Sequence, residues 1–403
     1  MPVRTLLLSE IFPPRTGGSG RWLWEIYRRL SRQQLLICAG THPRQAEFDA
    51  RHDVPLLRIP LTLPSWGLRS AGALRDYGRL FNLVRRLKKQ HAVTEVHCAR
   101  MLPEGWVGWM ARRALGLSYL VYVHGEETNY GMQSRELGWM MRRVLASARL
   151  VVANSHNTAA ILREQWSVPA EQIEVLHPGV DVQEFTPTTD SGALRRKLGW
   201  QGRRVLLTVG RLQARKGHDH LIRALPAIRE QIPEVHYAIA GEGEERPRLE
   251  SLVNRLDLQR HVQWLGELTD QELVESYQAC DLFVLPNREI DGDIEGFGMV
   301  LLEAQSCGKP VIAGDSGGTA ETMHIPHTGK VIDCTNPDTI AAETASWLRD
   351  EPLLIEKGRA ARSWVTDRFA WPTLSRRAAK ILGLDLEEDR IAPIDTGVSQ
   401  AAG

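Results

Sequence analysis

Twice along this chain, short runs of aliphatic and β-branched residues alternate with longer amphipathic stretches, and no other feature restricts the fold as strongly. In the first half the runs are Val3–Leu8, Leu35–Cys38, Leu56–Ile59, Glu95–Cys98, Tyr119–Val123, Leu150–Ala153 and Ile173–Leu176. Between them lie stretches with helical spacing, among them Arg21–Leu30, Leu74–Lys89 and Gly138–Ala146. The second half repeats the scheme with Val205–Val209, Tyr237–Ala240, Val262–Trp264, Leu282–Leu285, Val311–Ala313 and Lys330–Ile332. A helix between two strands carries the chain back to the same end of the sheet, so the strands pair in parallel and both faces are covered. At 403 residues the chain exceeds one ordinary core. The expectation is an α/β protein with two Rossmann-like domains.

The seam is placed at His177-Pro178-Gly179-Val180-Asp181, which the polar stretch Thr186–Gly192 follows. This divides the chain into a first domain over 1–180 and a second over 181–370. A helix over 371–386 is expected to return to the first domain, and 387–403, which loses periodicity, to be a tail. Charge supports the division. Residues 1–190 carry 24 Lys and Arg against 17 Asp and Glu, a net of +7, and the remainder carries 26 against 32, a net of −6. The two halves should therefore meet different partners, while a total of +1 argues against a dedicated nucleic-acid binder. Five scattered cysteines without a C-x-x-C fit buried thiols in a reducing compartment. The opening residues lack the apolar core of an export leader, and no window of 18 apolar residues exists. A cytoplasmic protein is expected, with peripheral attachment to a membrane left open.

Ligands of doubly wound sheets bind outside the carboxyl ends of the strands, so the loops after strands come first. Glu295-Gly296-Phe297-Gly298-Met299-Val300-Leu301-Leu302-Glu303 follows the run that ends at Pro286. A helix starting near Gly298 would aim unpaired backbone N–H groups and its positive dipole end at an anion. Glu295 would precede that helix and Glu303 lie about a turn and a half inside it. Too far apart to share a proton, the two carboxylates suit different hydroxyls of one extended ligand. In Gly210-Arg211-Leu212-Gln213-Ala214-Arg215-Lys216-Gly217, cations near a strand's carboxyl end can neutralise a leaving diphosphate. Surface ion pairs are the plain alternative.

Thr16-Gly17-Gly18-Ser19-Gly20 allows close backbone approach to a phosphate or sugar. It lacks the G-x-G-x-x-G spacing, and no acidic residue ends the second strand, which disfavours a hydride-transfer enzyme. His124 follows Tyr119–Val123; alone it reads as structural, and at the mouth of a cleft as a site residue. Asp291-Gly292-Asp293 has the spacing of a divalent-ion ligand pair but reads here as a solvated loop. Gly314–Glu321 lacks the Lys-Ser/Thr of a phosphate-binding loop and reads as a strand-to-helix turn.

In this order, the pieces resemble the retaining glycosyltransferases of family 4, whose GT-B fold sets two Rossmann-like domains with parallel sheets facing across a cleft. The matching residues are Gly17-Gly18, His124, Pro178-Gly179-Val180-Asp181, Gly210-Arg211-Leu212 with Lys216-Gly217, Glu295 and Glu303 as E-x₇-E, and Gly317-Gly318-x-x-Glu321. They span roughly residues 5 to 375. The stretch Gly292 to Gly298 is similar to that of bacterial mannosyltransferases acting on phosphatidylinositol mannosides.

The resemblance implies a hexosyltransferase, of mannose or glucose type, that moves the sugar from a nucleotide diphosphate to a cell-envelope glycan or a lipid-linked acceptor. Arg211 and Lys216 would hold the diphosphate, with Gly17, Gly18 and Gly210 close to it. Glu303 would bind the ribose. Glu295, His124 and the amides of Phe297, Gly298, Met299 and Val300 would surround the sugar, and the base would lie by Leu265 and Gly266. Family members usually need no metal, and no cofactor beyond the nucleotide sugar is expected. Same-face attack through an ion-pair transition state would let the diphosphate take the acceptor's proton. A GT-B isomerase or phosphorylase, or a nucleotide-sugar-binding protein without catalysis, is the alternative. The acceptor is expected at the basic first domain, which holds seven of the twelve tryptophans. There the stretch Trp66 to Lys89 suggests contact with an anionic membrane surface; an ordinary surface helix is the competing reading.

Overall fold

The computed structural model describes residues 5–15, 17–52 and 54–387. The tail expected over 387–403 lies outside the described residues from 388 onward, as does Thr16. Within these residues the chain forms two compact units: 5–153, 163–176 and 371–387 make the first, and 154–162 and 177–370 the second.

The first unit holds strands β1 (Thr5–Ser9), β2 (Leu35–Gly40), β3 (Leu56–Ile59), β4 (Glu95–Cys98), β5 (Ser118–Val123), β6 (Leu150–Ala153) and β7 (Ile173–Val175). Its helices are α1 (Gly18–Tyr27), α2 (Gln45–Ala50), α3 (Ala71–His91), α4 (Trp106–Leu115), α5 (Glu127–Gln133) and α6 (Arg135–Ser147). Helix α7 (His156–Glu164) spans the boundary. The strands form one parallel sheet in the order β3-β2-β1-β4-β5-β6-β7.

In the second unit, β8 (Arg204–Val209), β9 (Val235–Ala240), β10 (Val262–Gly266), β11 (Leu282–Leu285), β12 (Val311–Gly314) and β13 (Gly329–Ile332) follow. They too are parallel, ordered β10-β9-β8-β11-β12-β13. Helices α8 (Ser191–Leu198), α9 (His218–Gln231), α10 (Arg246–Arg255), α11 (Asp270–Ala279), α12 (Met299–Ser306), α13 (Pro337–Leu348) and α14 (Glu351–Phe369) complete it. Helix α15 (Trp371–Leu382) belongs to the first unit and packs against α1. The chain beyond it pairs Leu386 with Leu30.

These strands form because their side chains are apolar at successive positions, which only a sheet covered on both faces can bury. The pleat then divides the residues. Leu206 of β8 and Leu282 and Val284 of β11 enter the core on one face. Val205, Leu207, Phe283 and Leu285 enter the core on the other, with Phe297, Leu301 and Leu302 of the α12 region. All thirteen runs singled out in the sequence contain strands, with ends within two residues of those read, the start of the first run at Val3 lying outside the described residues. All five cysteines are buried and free.

Two helices add detail to the sequence reading. Gly18 and Gly20 lie in the first turn of α1, which starts three residues earlier than its apolar pattern. A Cβ at Gly20 would stand 2.5 Å from the Ile11 carbonyl oxygen, so glycine lets the helix lie against the loop after β1. Helix α3 turns Tyr77, Leu80, Val84 and Leu87 into its own unit, leaving a basic outer face. Its apolar stripe is spent on the core; of that stripe only Leu74 is an exposed large apolar residue.

In each sheet the order reverses once, between β1 and β4 and between β8 and β11. At such a point the loops leaving the two strands diverge to opposite faces and open a crevice. The loops after β8 and β11 carry most of the predicted residues.

Candidate functional site

In the second unit the loop after β8 is anchored by Gly210 N–H, which donates to Ala240 O at 2.9 Å, and Leu212 N–H, which donates to Glu242 O at 3.0 Å. A single helical turn over Ala214–Lys216 then leads to Gly217, in the left-handed region at φ 73°. A Cβ at Gly217 would fall 1.7 Å from the Pro286 carbonyl oxygen, so no other residue fits. This close approach brings Arg215 and Lys216 under the loop after β11.

There they meet Glu295. Its carboxylate accepts from Arg215 Nη1 at 2.9 Å and from Lys216 Nζ at 2.5 Å, and all three side chains are buried. Arg215 Nε also pairs with half-exposed Asp293 at 3.2 Å. Burial would raise the Glu295 carboxyl, but the charges of Lys216 and Arg215 outweigh it and hold the group below the usual carboxylate range. Glu295 is therefore an anion with two buried cations on it. Removing the carboxylate from such a cluster strands cationic charge away from water, at about 3–5 kcal/mol.

The Glu295 backbone is held as firmly. Its N–H donates to Ser316 Oγ at 3.1 Å, and its carbonyl accepts from Gly318 N–H at 2.9 Å. A Cβ at Gly317, at φ 55°, would lie 2.0 Å from that carbonyl oxygen. The stretch 314–321, read as a strand-to-helix turn, is thus the bed on which the Glu295 loop rests. Asp291 and Gly292 form a tight turn with positive φ at both, closed by reciprocal bonds between Ile290 and Asp293.

Gly298 starts α12 at φ 95°, and no side chain caps this end, so its amides stand ready for an anion. Phe297 is buried in the core, where it stacks on His177 with ring centroids 5.2 Å apart. Only its backbone is available to a ligand. Met299 and Val300 are half-buried. Glu303 is buried, and Tyr277 Oη of α11 donates to it at 2.8 Å. Burial, then the Glu303 charge, pushes the Tyr277 hydroxyl well above its ordinary value and keeps it a donor. Leu265 and Gly266 end β10, where Gly266 O accepts from Gly241 N–H at 2.8 Å.

Lys216 and Glu295 are thus in direct contact, with Gly210 beside the Lys216 side chain. Arg211 is exposed and has no ion pair among the described residues. Arg215, not singled out in the sequence, takes the second place on Glu295. Three cations within six positions of one loop give no sign of which of them turn inward.

His124, Gly17 and Gly18 belong to the first unit. His124 Nε2–H donates to the Ala99 carbonyl at 2.8 Å, which fixes the proton on that nitrogen, and the ring edge meets Trp22 at 5.4 Å. Its backbone N–H donates to the buried Glu127 carboxyl at 2.9 Å. The crevice between β1 and β4 carries a cluster the sequence did not single out. Arg100 donates to Glu10 at 2.9 Å and to Glu104 at 3.1 Å, and Thr62 Oγ1 donates to Glu10 at 3.1 Å. The Arg100 guanidinium lies over Trp66, 5.6 Å from the ring centre. Both Glu10 and Arg100 stand one or two residues beyond a strand end, the signal that would have found them.

Comparison with known proteins agrees with this geometry. Residues 190–364 match the family "Glycosyl transferases group 1", and residues 16–184 match "Glycosyltransferase Family 4". The chain is 32% identical, over 94% of its length and 97% of the relative's, to the GDP-mannose-dependent alpha-(1-6)-phosphatidylinositol monomannoside mannosyltransferase of Mycolicibacterium smegmatis. It is 30% identical, over 94% and 97%, to a GDP-mannose-dependent monoacylated alpha-(1-6)-phosphatidylinositol monomannoside mannosyltransferase of Corynebacterium glutamicum. Among solved structures, Anabaena HepE in complex with UDP and glucose superimposes with a TM-score of 0.79 at 23% identity, covering 94% of this chain and 99% of that one. Two parallel sheets with their switch points loaded with charge, and kinship along nearly the whole chain, lead to one conclusion: the protein belongs to the family 4 glycosyltransferases of GT-B fold and is related to the phosphatidylinositol mannoside mannosyltransferases.

Proposed function

We propose that this glycosyltransferase moves a hexose, with retention of configuration and without a metal, from a nucleotide diphosphate sugar to a cell-envelope glycolipid or glycan. GDP-mannose is the first donor to test, because the relatives similar over their whole length are named for it. The buried Arg215–Glu295–Lys216 cluster at the β8/β11 crevice carries the reading. It holds Lys216 aimed at one place, as stabilisation of a departing diphosphate requires. Arg211, exposed at the same loop, would close on the diphosphate from the solvent side. The uncapped amides of α12 and the carboxylate of Glu295 would bind the sugar, and Glu303, steadied by Tyr277, the ribose. With cations supplied by side chains, no metal is needed for the leaving group. The diphosphate oxygen would take the acceptor's proton, so no protein nucleophile or base is assigned.

The acceptor would approach the first unit, where Arg100, Glu10 and Glu104 cluster and Arg75, Arg79, Arg85, Arg86 and Lys89 of α3 are exposed. These cations would attract anionic headgroups at the cytoplasmic face of a membrane, each by about 1 kcal/mol. Among the described residues no helix is long and apolar enough to cross a membrane.

The test is a donor screen with GDP-mannose, UDP-glucose, UDP-galactose and UDP-N-acetylglucosamine, with and without EDTA, against phosphatidylinositol mannoside in anionic vesicles. One donor should be consumed without added Mg²⁺, giving an α-linked product from an α-linked donor. An inverted product, or turnover that stops in EDTA and returns with Mg²⁺ alone, would reject the mechanism, and failure of all four donors would reject the donor class. Failure to co-sediment with anionic vesicles at low salt would reject the membrane contact.

A further inference from the structure

We propose that His156, His177 and Glu321 of the second unit form a binding site for a divalent cation of the zinc class, placed behind the loop that carries Glu295. One ligand atom from each residue lies within 4.8 Å of the other two. Tetrahedral zinc with bonds near 2.0–2.1 Å keeps its ligand atoms about 3.4 Å apart, so side-chain shifts of roughly 1.5 Å or less would complete the set. His156 is exposed and its ring can make that movement in solvent.

The other two ligands are already oriented. Glu321 accepts from the backbone N–H of His156 at 2.7 Å and of Asn157 at 2.8 Å, at the amino end of α7. The oxygen that accepts from His156, Oε2, also meets His177 Nε2 at 2.8 Å. The His177 ring is fixed by stacking on Phe297 and by an edge contact with Phe369 at 5.8 Å. Backbone donors on a ligating carboxylate and packing around a ligating imidazole are what orient the ligands of protein metal sites. Binding through Nε2 places the ring hydrogen of a neutral His177 on Nδ1. Asn157, whose backbone N–H holds Glu321, has a buried Oδ1 with no hydrogen-bond partner among the described residues.

Two imidazoles and one carboxylate select zinc, cobalt or nickel over magnesium or calcium, which prefer oxygen ligands. Three protein ligands leave a fourth position for water. The cation would act as a brace rather than a reactant. His177 touches Phe297, two residues beyond Glu295, and Gly318, three residues before Glu321, bonds to the Glu295 carbonyl. Both supports of the Glu295 loop would therefore be tied to one ion. This site does not depend on the assignment of donor or acceptor.

The test uses the full chain, stripped with chelator and titrated with Co²⁺ while visible ligand-field absorption is followed, then with Zn²⁺ in competition. One equivalent should saturate, with tetrahedral-type absorption, and Mg²⁺ should not compete. Zn²⁺ should raise the Tm. His156→Ala retains the backbone amide that holds Glu321, so it should fold, yet it should lose at least about tenfold in affinity. His177→Gln should lose as much. His327→Ala serves as the control, because His324 and His327 form a separate ring pair with centroids 4.7 Å apart. The proposal fails if no equivalent binds below about 100 μM cation, or if His156→Ala or His177→Gln binds the cation like the parent.

Discussion

Glu295 is the residue on which the second unit depends most, since it neutralises both Arg215 and Lys216 in a buried setting. Glu295→Gln should therefore lower stability by about 3–5 kcal/mol, because buried Lys216 loses its carboxylate while Arg215 keeps only half-exposed Asp293. Arg215→Met should cost less, since Lys216 remains on the carboxylate; urea unfolding of both variants and the double mutant would check the order. The proposed roles also separate kinetically. Glu303→Ala should weaken donor binding while leaving kcat within a few-fold, because a ribose contact is the same in ground and transition states. Lys216→Met should lower kcat by about 10²–10³, because charge on the diphosphate grows as the bond breaks. Donor titrations and initial rates on both variants decide this; if Lys216→Met kept parental kcat, its role would be wrong.

At the scale of elements, the glycines of two loops set where charge is delivered. Gly217 lets the loop after β8 reach the end of β11, and Gly317 lets the 314–321 stretch lie under Glu295. Gly317→Ala places a methyl 2.0 Å from the Glu295 carbonyl oxygen on a backbone at φ 55°. The loop must move, so activity should fall by about 10²-fold or more, as misplacement by an ångström commonly does. The comparison is Thr269→Ala, which removes the hydroxyl of the capping box at the start of α11. It should cost about 1 kcal/mol of stability and leave donor affinity unchanged. Rates and thermal melts of the pair would separate a positioning effect from a folding one.

The whole molecule should lose stability on the acid side earlier than its carboxylates alone would dictate. His218, at the start of α9, is buried, and burial, then the Lys216 charge, pulls its pKa down to about 4 from 6.5. The unfolded chain takes up this proton first, so the stabilisation is complete above about pH 6.5 and is lost as pH falls toward 4. The loss amounts to roughly 3 kcal/mol. Glu295, Glu321 and Asp219, all held below their ordinary values, add a further loss as pH falls through the carboxylate range. Urea unfolding between pH 7.5 and 4.5 should show the first decline, and His218→Gln should flatten it. A parental curve flat to pH 5 would reject the assignment.

The strand order, and with it the two switch points, is a tertiary fact. Strands and their parallel pairing were legible because they rest on local pattern: an apolar run buried on both faces needs no distant partner to be recognised. The same holds for Gly298 and the helix it starts, and for Glu295 and Glu303, whose spacing along one loop and helix is local. Partnership was not legible. Arg215 meets Glu295 across 80 positions, Tyr277 meets Glu303 across 26, and Arg100 meets Glu10 across 90. His156 and His177 converge on Glu321 across 165 and 144. Such pairs depend on which loops leave the same end of a sheet and on how closely glycine lets their backbones approach. A one-dimensional pattern carries the strand ends from which these loops leave, whereas which side chain turns inward on arrival is settled by packing in three dimensions.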